Sequence, residues 1–151
     1  MTWWNPHDSE LEVLAALVAA HVSFVVVGGA AMQLHGMERP RKDLDILVEA
    51  TSPNATALKV ALESLQPPVS VPFEVELGFS QERFRAGVPY RYTELLGHID
   101  GVAYADAKAD AHVVQTHGLI IPFLSKHHLV KTKRIRGNEQ DLADISFLET
   151  V

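Results

Sequence analysis

The stretch from Phe24 to Glu49, FVVVGGAAMQLHGMERPRKDLDILVE, constrains this chain more than any other. An apolar run, Phe24 to Val27, stops at the pair Gly28-Gly29. A short helix is then predicted to end near His35-Gly36, and a second strand carries Asp43 and Asp45. Successive strand residues point to opposite faces, so Asp43 and Asp45 share one face while Leu44 and Ile46 point to the other. Two carboxylates side by side repel, and a divalent cation is the usual compensation; an all-oxygen donor set favours a hard ion such as magnesium. Glycine lets a ligand approach the backbone closely, and a helix start offers unpaired N–H groups to an anion such as phosphate. Metal-binding acids beside a phosphate-binding turn point to a nucleotide site. The competing explanation is an ordinary tight turn followed by a half-exposed strand whose acids face water.

With Gly28 and Gly29 followed, after residues 30 to 42, by Asp43-Leu44-Asp45, the chain resembles the nucleotidyltransferase superfamily, the fold of polymerase beta-like enzymes. VVGGAAMQLHGMERPRKDLDILV is similar to the small bacterial branch that includes the abortive-infection toxin nucleotidyltransferases. That branch often has Arg-x-Thr-x-Asp; here Arg39-Pro40-Arg41-Lys42-Asp43 puts Arg41 in place of the threonine. The resemblance implies an α/β (α+β) fold, a mixed β-sheet flanked by helices, with its core over about residues 22–149. It lacks the Gly-Lys-Ser/Thr of a P-loop.

At 151 residues one domain spanning 1–151 is expected, and an apolar fraction of 47% with 21% charged residues is ordinary for a globular protein. There are no cysteines, which excludes disulfides and thiolate metal sites and fits a reducing cytoplasm. The start MTWWNPHDSE has neither the basic end nor the apolar centre of a signal peptide, and the apolar runs are too short for a membrane span, so a soluble cytoplasmic protein is expected. A formal charge of −6 disfavours a sequence-independent hold on long nucleic acid. Basic residues still cluster locally at Arg39, Arg41 and Lys42 and again from Lys126 to Arg136.

In chain order, Ser9-Glu10-Leu11-Glu12 has the form of a capping box, and Leu11, Leu14, Leu17 and Val18 recur at helical spacing, which predicts a helix over about 10–20. Trp3 and Trp4 before it are expected to cover the edge of the core or a partner surface. Ser52-Pro53 opens another helix, with Leu58, Ala61, Leu62 and Leu65 as its buried stripe. Val69 to Leu77 reads as an edge strand or extended connection, and Glu82–Ala86 and Tyr90–Leu96 as strands around Gly87-Val88-Pro89. Val102 to Ala111 predicts a short helix. His112–Gln115 and Leu119–Phe123 predict a hairpin, and Ser125 a cap for a last helical region.

The family's third carboxylate sits on a strand beside the Asp-x-Asp strand. Register puts Glu94 there, where relatives usually carry aspartate; Asp100 is the alternative, although before Gly101 it also reads as a turn residue. Glu94 could instead pair with Arg91 or Arg39. The tail from Lys133 to Asp144 resembles the family's Lys-Arg-x-x-Gly-Arg-x-x-Asp-x-x-Asp, with Asn138 where that tail usually has arginine. Lys133 could reach a triphosphate or pair with Asp141 to pin two helices. Arg39 suits carboxylates or phosphates, whereas Arg41 reads as a solvated charge. None of the eight histidines is paired at i, i+4 on a helix, and His35 reads as a helix terminator whose cationic form the helix dipole would favour.

The resemblance therefore implies a magnesium-dependent enzyme, with one or two ions on Asp43, Asp45 and Glu94. Its nucleotide site would comprise Gly28, Gly29, Arg39 and Lys133. Such an enzyme moves a nucleoside monophosphate from a nucleoside triphosphate to an acceptor hydroxyl: a tRNA end, a protein or a small molecule. Relatives of the toxin type add helical regions for the acceptor, so either the acceptor is small or a partner subunit or second copy completes the cleft. The alternative is a nucleotide- or partner-binding module, antitoxin-like, that has lost efficient transfer.

Overall fold

The computed structural model describes residues 2–69, 84–88 and 91–151. Helix α1 (Asp8–Ala19) leads into strand β1 (Phe24–Val27), helix α2 (Gly28–Leu34) and strand β2 (Asp43–Val48), and helix α3 (Ser52–Glu63) follows. Strands β3 (Phe84–Val88) and β4 (Arg91–Leu96), helix α4 (Tyr104–Ala109), strands β5 (His112–Thr116) and β6 (Leu119–Phe123), and helices α5 (Lys126–Arg136) and α6 (Glu139–Thr150) complete the order. The strands form one six-stranded sheet, β3-β4-β2-β1-β6-β5. Pairings β1–β2, β3–β4 and β5–β6 are antiparallel, whereas β2–β4 and β1–β6 are parallel. The expected mixed sheet flanked by helices is therefore present.

Apolar periodicity explains most of this. Phe24, Val25, Val26 and Val27 are all buried, as a central strand covered on both faces requires. Leu44 and Ile46 are fully buried while Asp43 and Asp45 on the other face are partly exposed. The α3 stripe of Leu58, Ala61, Leu62 and Leu65 is buried as its spacing predicts. The β5–β6 hairpin closes through His117 and Gly118, both at positive φ (51° and 75°), the two-residue turn that matches strand twist. Trp4 is buried with its ring edge-on to Phe123 at 5.0 Å, closing the core edge, while Trp3 stays exposed.

Helix α1 starts earlier than its sequence predicts. The N-cap is His7, whose backbone N–H donates to Glu10 Oε1 at 2.9 Å, so the box is His7/Glu10 rather than Ser9/Glu12. The buried face accordingly runs through Glu10, Val13, Leu14 and Leu17, with Leu11 only partly covered. Strand β3 continues through Gly87 and Val88, which the sequence assigns to a turn. The expected extended segment Val69–Leu77, apart from Val69, and the starts at Glu82 and Tyr90 lie outside the described residues. No helix among the described residues is long and apolar enough to cross a membrane.

Helix α3 is fastened to the sheet by one side chain. Buried Asn54 accepts from the Ser23 N–H at 2.7 Å and donates to the carbonyls of Ser23 (3.0 Å) and Glu49 (2.9 Å), where β1 begins and β2 has just ended. Removing it leaves the Ser23 N–H and the Glu49 carbonyl to find other partners, while the Ser23 carbonyl keeps the Glu49 N–H at 3.1 Å. Asn54→Ala is expected to cost about 3 kcal/mol. In urea unfolding this reads as a lower midpoint at an unchanged slope.

Candidate active site

Two sheet pairings build the site. In the antiparallel β1–β2 ladder Val27 lies opposite Asp45, and in the parallel β2–β4 ladder Asp45 lies opposite Glu94. The end of β1, the second acid and the third acid therefore stand in one row across the sheet. Ligand oxygens of Asp43, Asp45 and Glu94 lie within 4.8 Å of one another, and Glu94 is only 7% exposed. Asp100 is not part of this cluster. It lies in the turn bridged by Ile99 and Val102, 3.7 Å from His98 Nε2. Of the two alternatives for a third acid, the structure brings Glu94 to the pair. The alternative pairing of Glu94 with Arg91 falls on a side chain outside those described.

Gly28 follows β1 directly with φ +61°, and a Cβ built there would lie 2.2 Å from Asp45 Oδ2. Both the backbone conformation and the carboxylate's closeness demand glycine. Gly29 has neither constraint to the same degree: its Cβ would meet Arg41 Cβ at 3.1 Å. Three carboxylates and no nitrogen or sulfur donor make a set suited to a hard divalent cation, and magnesium fits it.

Beside the cluster is a cleft of about 250 Å³. Gly28, Asp45 and Glu94 line one side, Leu96, Ile99 and Leu124 add apolar wall, and α5 faces them with Leu129, Thr132, Lys133 and Arg136. Those four α5 positions are spaced i, i+3, i+4, i+7, one helical face. Thr132 and Arg136, not singled out by the motif, were recoverable from that spacing around Lys133. His98 and Asp100 line the same cleft.

Lys133 stands between the cleft and the last helix. It lines the cleft, and its Nζ donates to Asp144 Oδ2 at 2.8 Å, with Asp141 at 3.9 Å. Its nearer partner is thus Asp144, and Asp141 is held by Arg136 at 2.8 Å. Asn138, in place of the tail's arginine, caps α6 by accepting from the Asp141 N–H at 2.8 Å.

Arg39 grips Asp144 through both guanidinium nitrogens, at 2.5 and 3.2 Å, rather than reaching the acid cluster, and that grip raises its pKa. Burial would push the Asp144 carboxyl up, but hydrogen bonds from Arg39 and Lys133 and their charges outweigh it and hold the group below its ordinary value. Arg41 is not a solvated charge: its side chain is 7% exposed and is bound by Glu10 and Gln33. His35 also departs from its expectation. Burial first, then His112 and Lys126, outweigh its bond to the Leu124 carbonyl and lower its pKa, so the neutral ring is favoured.

No protein-family model matches the chain. No curated protein matches it either. Solved structures do. A Thermotoga maritima protein assigned as a nucleotidyltransferase superposes with TM-score 0.59 at 21% identity, over 93% of this chain and 86% of its own. The lincosamide antibiotic adenylyltransferase LnuA, bound to lincomycin, matches at TM-score 0.57 and 16% identity, over 95% and 96%. ANT(2'')-Ia, in complex with adenylyl-2''-tobramycin, matches at 0.52 and 14%, over 93% and 85%. The chain has the nucleotidyltransferase fold.

Two expectations follow from this geometry. Gly28→Ala forces a left-handed alanine against the Asp45 carboxylate, so it should cost about 1–3 kcal/mol of stability, read as a lower unfolding midpoint in urea. Asp144, with its folded pKa lowered, contributes stability that is complete above its unfolded value of about 3.9 and fades as pH falls through the folded value. Asp144→Asn should therefore lower stability at pH 7 by about 3 kcal/mol, leaving Lys133 poorly compensated, and flatten the loss of stability below pH 4 in acid titration.

Proposed function

We propose that this protein transfers a nucleoside monophosphate from a nucleoside triphosphate to a hydroxyl of a small-molecule acceptor, releasing pyrophosphate. The observation that carries the reading is the convergence of Asp43, Asp45 and Glu94 within 4.8 Å beside the glycine turn. The fold of adenylyltransferases supports it. Two of the matched structures hold an adenylylated tobramycin and lincomycin, which favours a small-molecule acceptor.

In this reading Asp43, Asp45 and Glu94 would hold one or two magnesium ions, which would offset the charge of the triphosphate and of the transition state. Gly28 and Gly29 seat the phosphates, since no side chain stands between backbone and ligand. Lys133, pinned by Asp144, presents a fixed cation from the opposite wall, with Thr132 and Arg136 on the same helical face. The acceptor oxygen bonds to the α-phosphorus as the bond to the bridging oxygen of the β-phosphate breaks; the hydroxyl proton passes to Glu94. Arg39 acts at one remove, by holding Asp144. Positioning and electrostatics supply most of the acceleration.

Incubation with magnesium and each α-labelled nucleoside triphosphate, with cell extract as the source of acceptors, tests the reading. Label should move to a small product, and Asp43→Asn and Asp45→Asn should each reduce transfer at least about a hundredfold. Label in tRNA or protein would replace the acceptor class. Binding of triphosphate without any transfer would favour a binding module.

A further inference from the structure

The sheet order ends at β5, so among the described residues one side of that strand has no neighbour. The hairpin turn fixes which backbone groups face outward there. Its loop is His117 and Gly118 alone, so the flanking Thr116 and Leu119 exchange both backbone bonds, and bonded pairs alternate from them: Thr116/Leu119, Val114/Ile121 and His112/Phe123. Gln115/Ile120 and Val113/Pro122 are the pairs in between. Two observations agree with this alternation. Pro122 has no N–H to give to β5, and Leu124, two residues on, turns its N–H the other way, to the Val26 carbonyl at 2.8 Å. Val113 and Gln115 therefore aim their N–H and C=O groups out from the sheet edge, where no described residue meets them.

Proteins that stay single block such an edge with lysine, proline, a bulge or a very short strand. Strand β5 runs five residues in unbroken register and contains neither lysine nor proline. From Ala111 to Ser125 the chain has no Asp, Glu, Lys or Arg, although its formal charge is −6. Two copies can therefore approach along this edge without meeting like charges. On the face shared by Val113 and Gln115, Val113 and Ile120 are 60% and 62% exposed, which adds an aliphatic patch beside the backbone row.

We propose that β5 pairs antiparallel with β5 of a second copy, about a two-fold axis at Val114, joining the two sheets into one. The register follows from the outward groups. Val113 of each copy lies opposite Gln115 of the other and exchanges both backbone bonds with it, while Val114 meets its own counterpart in the pair between. Every outward group of β5 then has a partner, so the row is its own complement. Ala111, His112 and Val114 also line an open groove of about 730 Å³. The same register sets Thr116 of the second copy opposite His112, at the mouth of that groove, and so carries the interface beyond the strand. No residue lining the catalytic cleft belongs to β5, and the pairing does not depend on the proposed transfer reaction.

Sedimentation equilibrium of the full chain tests this. Two-copy species should hold at least half of the protein at about 100 μM and dissociate on dilution. Val113→Lys combined with Gln115→Lys sets lysines directly opposite one another in both pairs, and should weaken association at least about tenfold. Val113→Lys combined with Gln115→Glu sets opposite charges at the same places and should restore it. Because both positions are exposed, circular dichroism should show both double variants folded. A single copy throughout the concentration range would overturn the proposal and leave the edge to a strand of another protein. Association indifferent to the two lysines would overturn it as well, and equal loss in both double variants would overturn the register.

Discussion

The site depends on the register of β2 between its two neighbours. With Val27 opposite Asp45 and Asp45 opposite Glu94, strands about 4.8 Å apart carry the glycine turn and two of the acids into a single row. A slip of one residue would bury the carboxylates and turn Leu44 and Ile46 outward. Because Leu44, Ile46, Leu47 and Val48 are all buried, the apolar face enforces the register that the polar face uses. Core packing and carboxylate placement are thus one constraint seen from two sides of a strand.

A second tier of order is electrostatic. Asp144 on α6 gathers Lys133 from α5, Arg39 from the segment before β2 and Gln140 from its own helix. Two cations on one buried carboxylate compensate its desolvation and fix the direction of a lysine that would otherwise sample many rotamers. The C-terminal helices are in this way part of the wall of the cleft, although the acids come from strands and the glycines from the start of α2.

The sheet strands, the glycine turn and the common face of Asp43 and Asp45 were legible because period-two and turn chemistry are local signals. Glu94 was legible as the acid on the adjacent strand. What sequence could not give were partners chosen by distant packing. Lys133 turns to Asp144 rather than chiefly to Asp141 because α5 and α6 pack side by side. The α1 cap is displaced from Ser9 because Glu10 points inward instead of lying on the surface. His35 and His112 meet only because the sheet order sets β6 beside β1 and β5 beyond it.

Arg41 shows how far such support extends. Buried two positions before Asp43, it is bound by Glu10 of α1 and by Gln33 of α2, whose amide also donates to the Arg39 carbonyl at 2.6 Å. A guanidinium and a carboxylate this well covered compensate one another's desolvation, so removing either leaves the other with less compensation. A change at position 10 is thus felt two residues before the first acid of β2, although the whole of β1 and α2 lies between them.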